Sequence, residues 1–266
     1  MSKRETKALM DVALGRRPAR LILENCRLVN VYTGEILEGQ TVATWGERIA
    51  YVGGRRPETG PDTTVLDGKG LFLTPGFIDA HGHLDFFQHP LTLAEAALPR
   101  GTVGAYTESH DLLGALGSPG LDLLLDLADK IPFHLYIGLP PATPQFPQWE
   151  GDSILSTQQV RKYLRRKRIL GLSELIPWVR LLAQEDQLLD QIEAARALGK
   201  RIEGHTAGAS GSKLAALVAA GLTSCHESIT AQEVVERMRL GLYTMIRHGS
   251  IRADMEVLAM TFQDHP

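Results

Sequence analysis

The sequence predicts an α/β protein in which a small N-terminal β domain with one helix, residues 1–72, precedes a parallel (β/α) barrel, residues 73–266. Two observations carry this prediction. After residue 73, apolar strand-like runs alternate with amphipathic helical segments, a pattern typical of a parallel sheet. Before residue 73, short strand-like runs follow one another with only turn residues between them. Seven strand–helix units in succession, with polar residues at the strand ends, favour a barrel over an open sheet.

Composition excludes several classes of protein. A formal net charge of −3 over 266 residues is too small to indicate nucleic acid or a membrane surface as a partner. No apolar run has the length of a membrane span, and the N-terminus has no apolar stretch of a secretory signal. The two cysteines, Cys26 and Cys225, are far apart and form no disulfide framework. We therefore expect a cytoplasmic protein.

The N-terminal segment changes its period near residue 19. Residues 5–15 have helical apolar spacing with Gly15 as a C-terminal stop, and Arg16-Arg17-Pro18 breaks the helix. The following runs alternate as strands do, with turn residues at close spacing. These predicted strands are Leu21–Leu23, Leu28–Tyr32, Ile36–Leu37, Gln40–Ala43, Ile49–Val52 and Val65–Leu66.

The predicted barrel strands share polar or charged residues at or near their ends. They are expected to end near His83, Glu108, Leu139, Glu174, His205, Glu227 and Arg247. The predicted helices between them are Leu121–Lys130, Thr157–Lys167, Leu181–Leu198, Ser212–Ala220 and Gln232–Leu240.

The first of these strands ends in two histidines one residue apart. In a strand, residues i and i+2 share a face, so His81 and His83 present two imidazoles side by side. This is a metal-ligand arrangement suited to Zn, Fe, Mn or Ni. The alternative is a pair of surface histidines at a strand–loop junction.

Two further histidines and a carboxylate favour the metal. His205 and His226 lie at the ends of predicted strands five and six, at the face where barrel active sites are built. Glu174 ends strand four, and its carboxylate is able to bridge two divalent cations because each oxygen can ligate one. The alternative role for Glu174 is an acid at the N-terminus of the following helix.

Strand two ends in Glu108, His110 and Asp111. These groups either orient a ligand imidazole or the substrate, or cap the next helix, and the sequence leaves both open. Cys225, beside a candidate ligand, is interpreted as a small buried neighbour rather than a nucleophile. The segment His205–Gly211 is interpreted as a tight active-site loop, and Leu139–Pro144 as a stiff, exposed loop that is a candidate to face the substrate.

Taken together, these motifs resemble the metal-dependent amidohydrolase superfamily and, within it, the adenine deaminases. Pro75-Gly-Phe-Ile-Asp-Ala-His-Gly-His83 matches the first-strand motif of the superfamily. More particular to adenine deaminases are a glutamate at the end of strand four and several shorter matches along nearly the whole chain. These include Pro141–Pro144, Leu170–Glu174, Gly204-His205, His226-Glu227 and Leu240–Arg247, whereas Asn30–Ile36 and Arg48–Gly53 resemble the β domain.

The resemblance implies a TIM-type barrel with a two-metal site of Mn or Fe, with Zn as the alternative. Its implied ligands are His81, His83, Glu174, His205 and His226. The implied reaction converts adenine to hypoxanthine and ammonia by attack of metal-activated hydroxide at C6. Glu174, Glu108 and Asp111 are the candidate catalytic carboxylates, and the family usually forms oligomers. The residues that contact the substrate are not identified.

The chain also departs from the family pattern. Strand two ends Glu108-Ser-His-Asp111 where the family has Asp-Pro-His-Glu, and Ala207 replaces a usual proline. Strand eight, whose aspartate normally binds metal and moves a proton, is expected to be absent, with the C-terminal part of the β domain. Three interpretations therefore stay open: an adenine deaminase-like hydrolase, a shortened relative that binds metal or purine without turnover, and a hydrolase of another cyclic amidine or amide.

Overall fold

A computed structural model of the protein describes residues 1–84, 88–141, 155–249 and 251–264, with side chains to residue 262 at the C-terminal end. The chain divides into two compact units, Met1–Pro75 and Gly76–Pro266. Within the described residues, no helix is long and apolar enough to cross a membrane.

The first unit is a sheet with one helix. Helix α1 begins at Lys3 rather than at residue 5, because Ser2 and Glu5 cap it reciprocally: the Ser2 hydroxyl accepts from the Glu5 N–H and the Glu5 carboxylate accepts from the Ser2 N–H. The elements are α1 (Lys3–Ala13), β1 (Leu21–Asn30), β2 (Glu35–Trp45), β3 (Arg48–Gly53), β4 (Thr64–Asp67) and β5 (Phe72–Leu73). The sheet order is β3-β2-β1-β4, and β5 also pairs with β1.

Two pairs of predicted strands in this unit are single strands. Ile36–Leu37 and Gln40–Ala43 were expected to be separate, but both lie within β2, because Gly39 takes a positive φ of 60° between them without ending the strand.

The second case is β1. The runs Leu21–Leu23 and Leu28–Tyr32 were expected to be separate strands, but they form the single strand β1, which pairs along its length with β2. The polar residues between them suggested a break. Instead, Asn25 adopts a positive φ of 56° and the register shifts around Cys26, so a bulge absorbs them without ending the ladder.

The second unit has a parallel sheet in which the strands follow chain order, β12-β11-β10-β9-β8-β7-β6. Each strand ends within three residues of its predicted end. The strands are β6 (Phe77–Gly82), β7 (Thr102–Thr107), β8 (His134–Leu139), β9 (Ile169–Leu175), β10 (Arg201–Gly204), β11 (Ser224–Cys225) and β12 (Tyr243–Thr244).

Helices connect these strands, and a core of aliphatic side chains that includes Leu124, Leu135, Ile137, Leu172 and Ile202 packs in this unit. The predicted helix Leu181–Leu198 is wrong in extent, because Gln184 takes a positive φ of 59° and divides it into α6 and α7. The helices are α2 (Pro90–Ala97), α3 (His110–Leu116), α4 (Ser118–Lys130), α5 (Thr157–Leu164), α6 (Trp178–Leu182), α7 (Asp186–Ala197), α8 (Gly211–Ala220), α9 (Ala231–Arg239), α10 (Met255–Ala259) and α11 (Thr261–Asp264).

The parallel sheet is strongly curled. Strands β6 and β11 are five positions apart in the sheet order, which in a flat sheet would separate them by about 24 Å. The imidazole of His81 on β6 nevertheless stacks on that of His226, which follows β11, with ring centroids 3.7 Å apart. Curling therefore brings the carboxyl ends of distant strands to one place.

Candidate metal centre

Two histidines come from the first parallel strand. His81 lies in β6 and His83 follows its last residue, so the two share a face as the spacing predicts. The Nε2 atoms of both lie 3.3 Å from Oε1 of Glu174. The rings of the two histidines stand edge to face at 5.2 Å.

Two further histidines come from the other side of the sheet. His205 directly follows β10 and His226 directly follows β11. Nδ1 of His205 lies 3.4 Å, and Nε2 of His226 3.0 Å, from the same Oε1 of Glu174. Four imidazoles that are far apart in the sequence therefore surround one carboxylate oxygen.

Glu174 itself occupies a strained position. It is the penultimate residue of β9, its side chain is only 4% exposed, and its φ of 29° is positive, which is uncommon for any residue except glycine. Backbone strain of this kind persists only where the surrounding structure imposes it, and it concentrates at functional sites. The conformation presents the carboxylate to all four imidazoles instead of to the next helix.

The candidate ligand atoms fall into overlapping groups. One consists of His81, His83 and Glu174, and another of Glu174, His205 and His226; within each group the ligand atoms lie within 4.8 Å of one another. Glu174 belongs to both groups. The arrangement could therefore hold two cations with one bridging carboxylate.

Sequence reasoning missed Glu203, a second buried carboxylate behind the imidazoles. Its Oε1 lies 2.8 Å from Nδ1 of His81 and 3.3 Å from Nδ1 of His226. Both are ion-pair distances, and neither contact meets the geometry of a hydrogen bond. The signal in the sequence was the spacing: Glu203 and His205 are two residues apart at a strand end, so they share a face.

The buried carboxylates and imidazoles strongly shift one another's pKa values. Burial opposes protonation of His81, but the carboxylates of Glu174 and Glu203 outweigh it and raise the pKa of His81 to about 10. Burial acts to raise the pKa of Glu174, yet the four imidazoles, led by His205 and His226, lower it well below its usual range. A divalent cation binds neutral imidazole, so metal binding here would release protons.

A buried polar network continues behind Glu203. Burial, followed by the charges of Glu203 and Glu108, raises the pKa of Tyr106 well above its usual value. The Ser173 hydroxyl donates to Oε1 of Glu108 at 2.9 Å. Gly138 leaves the space that this network occupies, because a Cβ there would lie 2.2 Å from the Tyr106 hydroxyl and 2.3 Å from the Ser173 Cβ.

Comparison with known proteins agrees with the motifs. The model of the amidohydrolase family matches residues 72–261, which is most of the chain. The chain belongs to the amidohydrolase family. Members of this family depend on metal, and the histidine–glutamate groups described above could bind one.

Curated relatives narrow the similarity within the amidohydrolases. The chain is 37% identical over 253 residues to an adenine deaminase of Cenarchaeum symbiosum, covering 95% of this chain and 42% of that protein. It is 34% identical over 245 residues to adenine deaminase 2 of Carboxydothermus hydrogenoformans, covering 92% and 42%. The chain thus spans less than half the length of these relatives.

A solved structure supports the amidohydrolase fold. The beta-aspartyl dipeptidase of Fervidobacterium islandicum superposes with a TM-score of 0.59 over 94% of this chain and 71% of that one. The two sequences are only 12% identical, so the likeness concerns the fold alone.

The carboxylates predicted at the end of strand two are not members of the candidate ligand groups found in the described residues. Glu108 is fully buried, and its Oε2 accepts from the backbone N–H of His110. Asp111 lies in the first turn of α3, where a carboxylate stabilises the helix N-terminus. Among the described residues, neither belongs to a group of candidate ligands, and their catalytic role stays a prediction. The predicted loop Leu139–Pro144 lies outside the described residues from residue 142 onward.

Proposed function

We propose that the chain carries the binuclear metal centre of an adenine deaminase-like amidohydrolase, which converts adenine to hypoxanthine and ammonia. The observation that supports it most is the sharing of Glu174 between two groups of candidate ligands. The curated relatives are adenine deaminases, and this likeness is the basis for proposing adenine as the substrate. The likeness also supports a TIM-type barrel of which this sheet contributes seven strands.

The residues fit such a centre. His81 and His83 would hold one cation, His205 and His226 the other, and Glu174 would bridge them. The candidate ligands in the described residues are imidazoles and carboxylates without a thiolate, so we propose Mn or Fe, with Zn as the alternative. Glu203 would hold the imidazoles of His81 and His226 by their Nδ1 atoms, which fixes the direction of their Nε2 atoms.

When bound, divalent cations supply a Lewis acid and a nucleophilic water at neutral pH. The chain supplies orientation and proton transfer. Deamination needs a carboxylate that carries a proton to the leaving amino group, and Glu108 and Asp111 remain our candidates within this chain. Glu203, which is buried, would shield the Nδ1 side of His81 and His226 from water.

The test is direct. The chain is incubated with Mn²⁺ and adenine, and conversion to hypoxanthine is followed by ultraviolet absorbance, with bound metal measured on the same sample. We expect two metals per chain and turnover. His81→Ala should lose metal and activity because it removes one of only two imidazoles in its group, whereas His134→Ala, an exposed histidine at the start of β8, should retain both.

The outcomes separate the three interpretations. Two bound metals without turnover of any purine would favour a shortened, non-catalytic relative. Turnover of a different cyclic amidine or amide would change the substrate and keep the site. Absence of bound metal, with no effect of His81→Ala on metal content or stability, would refute the assignment of the site itself.

A further inference from the structure

Helix α9 carries an arginine, Arg237, whose whole side chain is buried. The side chain of Arg237 is 0% exposed, although a guanidinium is costly to remove from water. Among the described residues, no carboxylate lies within ion-pair distance of it, and its contacts are to neutral oxygens. A buried charge is costly unless it is hydrogen-bonded, so the burial of Arg237 depends on the acceptors around its guanidinium.

Those hydrogen bonds converge on the segment that follows β10. Nη2 of Arg237 donates to the carbonyl oxygen of Thr206 at 2.8 Å and to its hydroxyl at 3.2 Å, and it approaches the carbonyl of Ala209 at 3.4 Å. Nη1 donates back to the carbonyl of Glu233 in its own helix at 3.2 Å. Arg237 therefore ties α9 to the residue directly after His205.

Thr206 extends the connection to the neighbouring strand. Its hydroxyl lies 2.9 Å from Sγ of Cys225, the residue directly before His226. Both Thr206 and Cys225 are fully buried. One chain of contacts thus joins the residues adjacent to two candidate ligands.

The backbone ladder between β10 and β11 does not reach the two candidate ligands, His205 and His226. Strands β10 and β11 pair through only two positions, Glu203 with Ser224 and Gly204 with Cys225. The pairing ends before His205 and His226, whose rings stand edge to face at 5.3 Å. Beyond the ladder, the contacts of Arg237, Thr206 and Cys225 connect the residues next to these two histidines.

We propose that Arg237 is a positioning residue that sets the spacing of His205 and His226 for one of the two cations. The proposal rests on the metal centre proposed above. Since Arg237 acts on a carbonyl and a hydroxyl beside a ligand, its loss should loosen the ligand pair without removing a ligand. The expected consequence is weaker metal binding by a protein that remains folded.

The experiment compares three variants of the full chain. Mn²⁺ affinity is measured by competition with a chelator, and folding is checked by circular dichroism. Arg237→Met should weaken Mn²⁺ binding by about tenfold, the lower range for changes behind metal ligands. Arg237→Lys should recover part of this loss, because an ammonium still donates to the Thr206 carbonyl. Arg239→Met, an exposed arginine on the same helix, should bind as the wild type does.

Thr206→Val is a fourth variant, which removes the hydroxyl and keeps the carbonyl. It should weaken Mn²⁺ binding less than Arg237→Met does. If Arg237→Met does not fold, the Mn²⁺ affinity of Thr206→Val tests the proposal instead. Wild-type affinity in folded Arg237→Met, or in Thr206→Val where the former is unfolded, would overturn the proposal. If the wild type itself binds no Mn²⁺, the metal centre fails instead, so the two failures are distinguishable.

Discussion

At the scale of single residues, the candidate site depends on which atom of each side chain faces inward. His81 and His226 present Nε2 to Glu174 and Nδ1 to Glu203, so each ring lies between two buried carboxylates. His205 instead presents Nδ1 to Glu174. A ring between two fixed acceptors has a defined direction, which is what a metal ligand requires.

Glu203→Gln tests this role. The substitution keeps the shape of the side chain but replaces two anionic acceptors with one neutral acceptor and one donor. Metal affinity should fall by about 10- to 100-fold, the range for partners of ligating histidines. Isothermal titration with Mn²⁺ measures it, and Glu193→Gln, exposed on α7, is the matched control. Equal affinity of both variants would show that Glu203 does not orient the histidines.

At the scale of elements, the ends of several strands supply the candidate ligands, and a glycine within one strand leaves space for the polar network behind them. Gly138 on β8 lies between Tyr106 on β7 and Ser173 on β9. Both of its neighbours belong to the polar network behind Glu203 and Glu174. The absence of a side chain on one strand therefore allows the network on the two adjacent strands to form.

Gly138→Ala should be destabilising, because its Cβ would overlap the Tyr106 hydroxyl and the Ser173 Cβ. Overpacking of this kind costs about 1–3 kcal/mol in the free energy of unfolding. Urea denaturation measures the change. Gly249→Ala, in the same unit and with nothing within 4 Å of its Cβ, should have little effect. A loss no larger than that of Gly249→Ala would contradict the packing argument.

At the scale of the whole molecule, the parallel sheet of the described residues has two strands with a free edge, β6 and β12. Apolar side chains line these edges: Phe77 is 62%, Ile78 65% and Tyr243 68% exposed. Unpaired backbone groups with exposed apolar side chains favour pairing with another chain. We therefore propose that the predicted oligomer forms through the edges of β6 and β12.

We expect the chain to self-associate through these edges, and Ile78→Lys to weaken the association because a charged side chain blunts a strand edge. Light scattering over a concentration series measures the mass. Val179→Lys is the control, since Val179 is similarly exposed, at 63%, but lies on helix α6. A wild-type chain that remains monomeric at all concentrations would rule out this expectation.

The sequence by itself determined the strands of the parallel sheet and the candidate ligands at their ends. The signals were local: apolar runs, turn residues and the i, i+2 spacing of His81 and His83. Local patterns predict secondary structure because they depend little on the packing of distant parts of the chain. Local signals failed where a single backbone conformation decided the outcome. The positive φ of Gln184 split one predicted helix, and a bulge near Asn25 joined two predicted strands.

Only the tertiary structure decided how these residues meet. Curling of the sheet brings His81 against His226, and the unusual φ of Glu174 turns one oxygen toward four imidazoles. The side chains of Glu203 and Arg237 are buried, and their proposed roles likewise depend on contacts with other strands and segments. A residue pattern records the face of a strand, but not the distance between two atoms far apart in the chain, because that distance is set by packing.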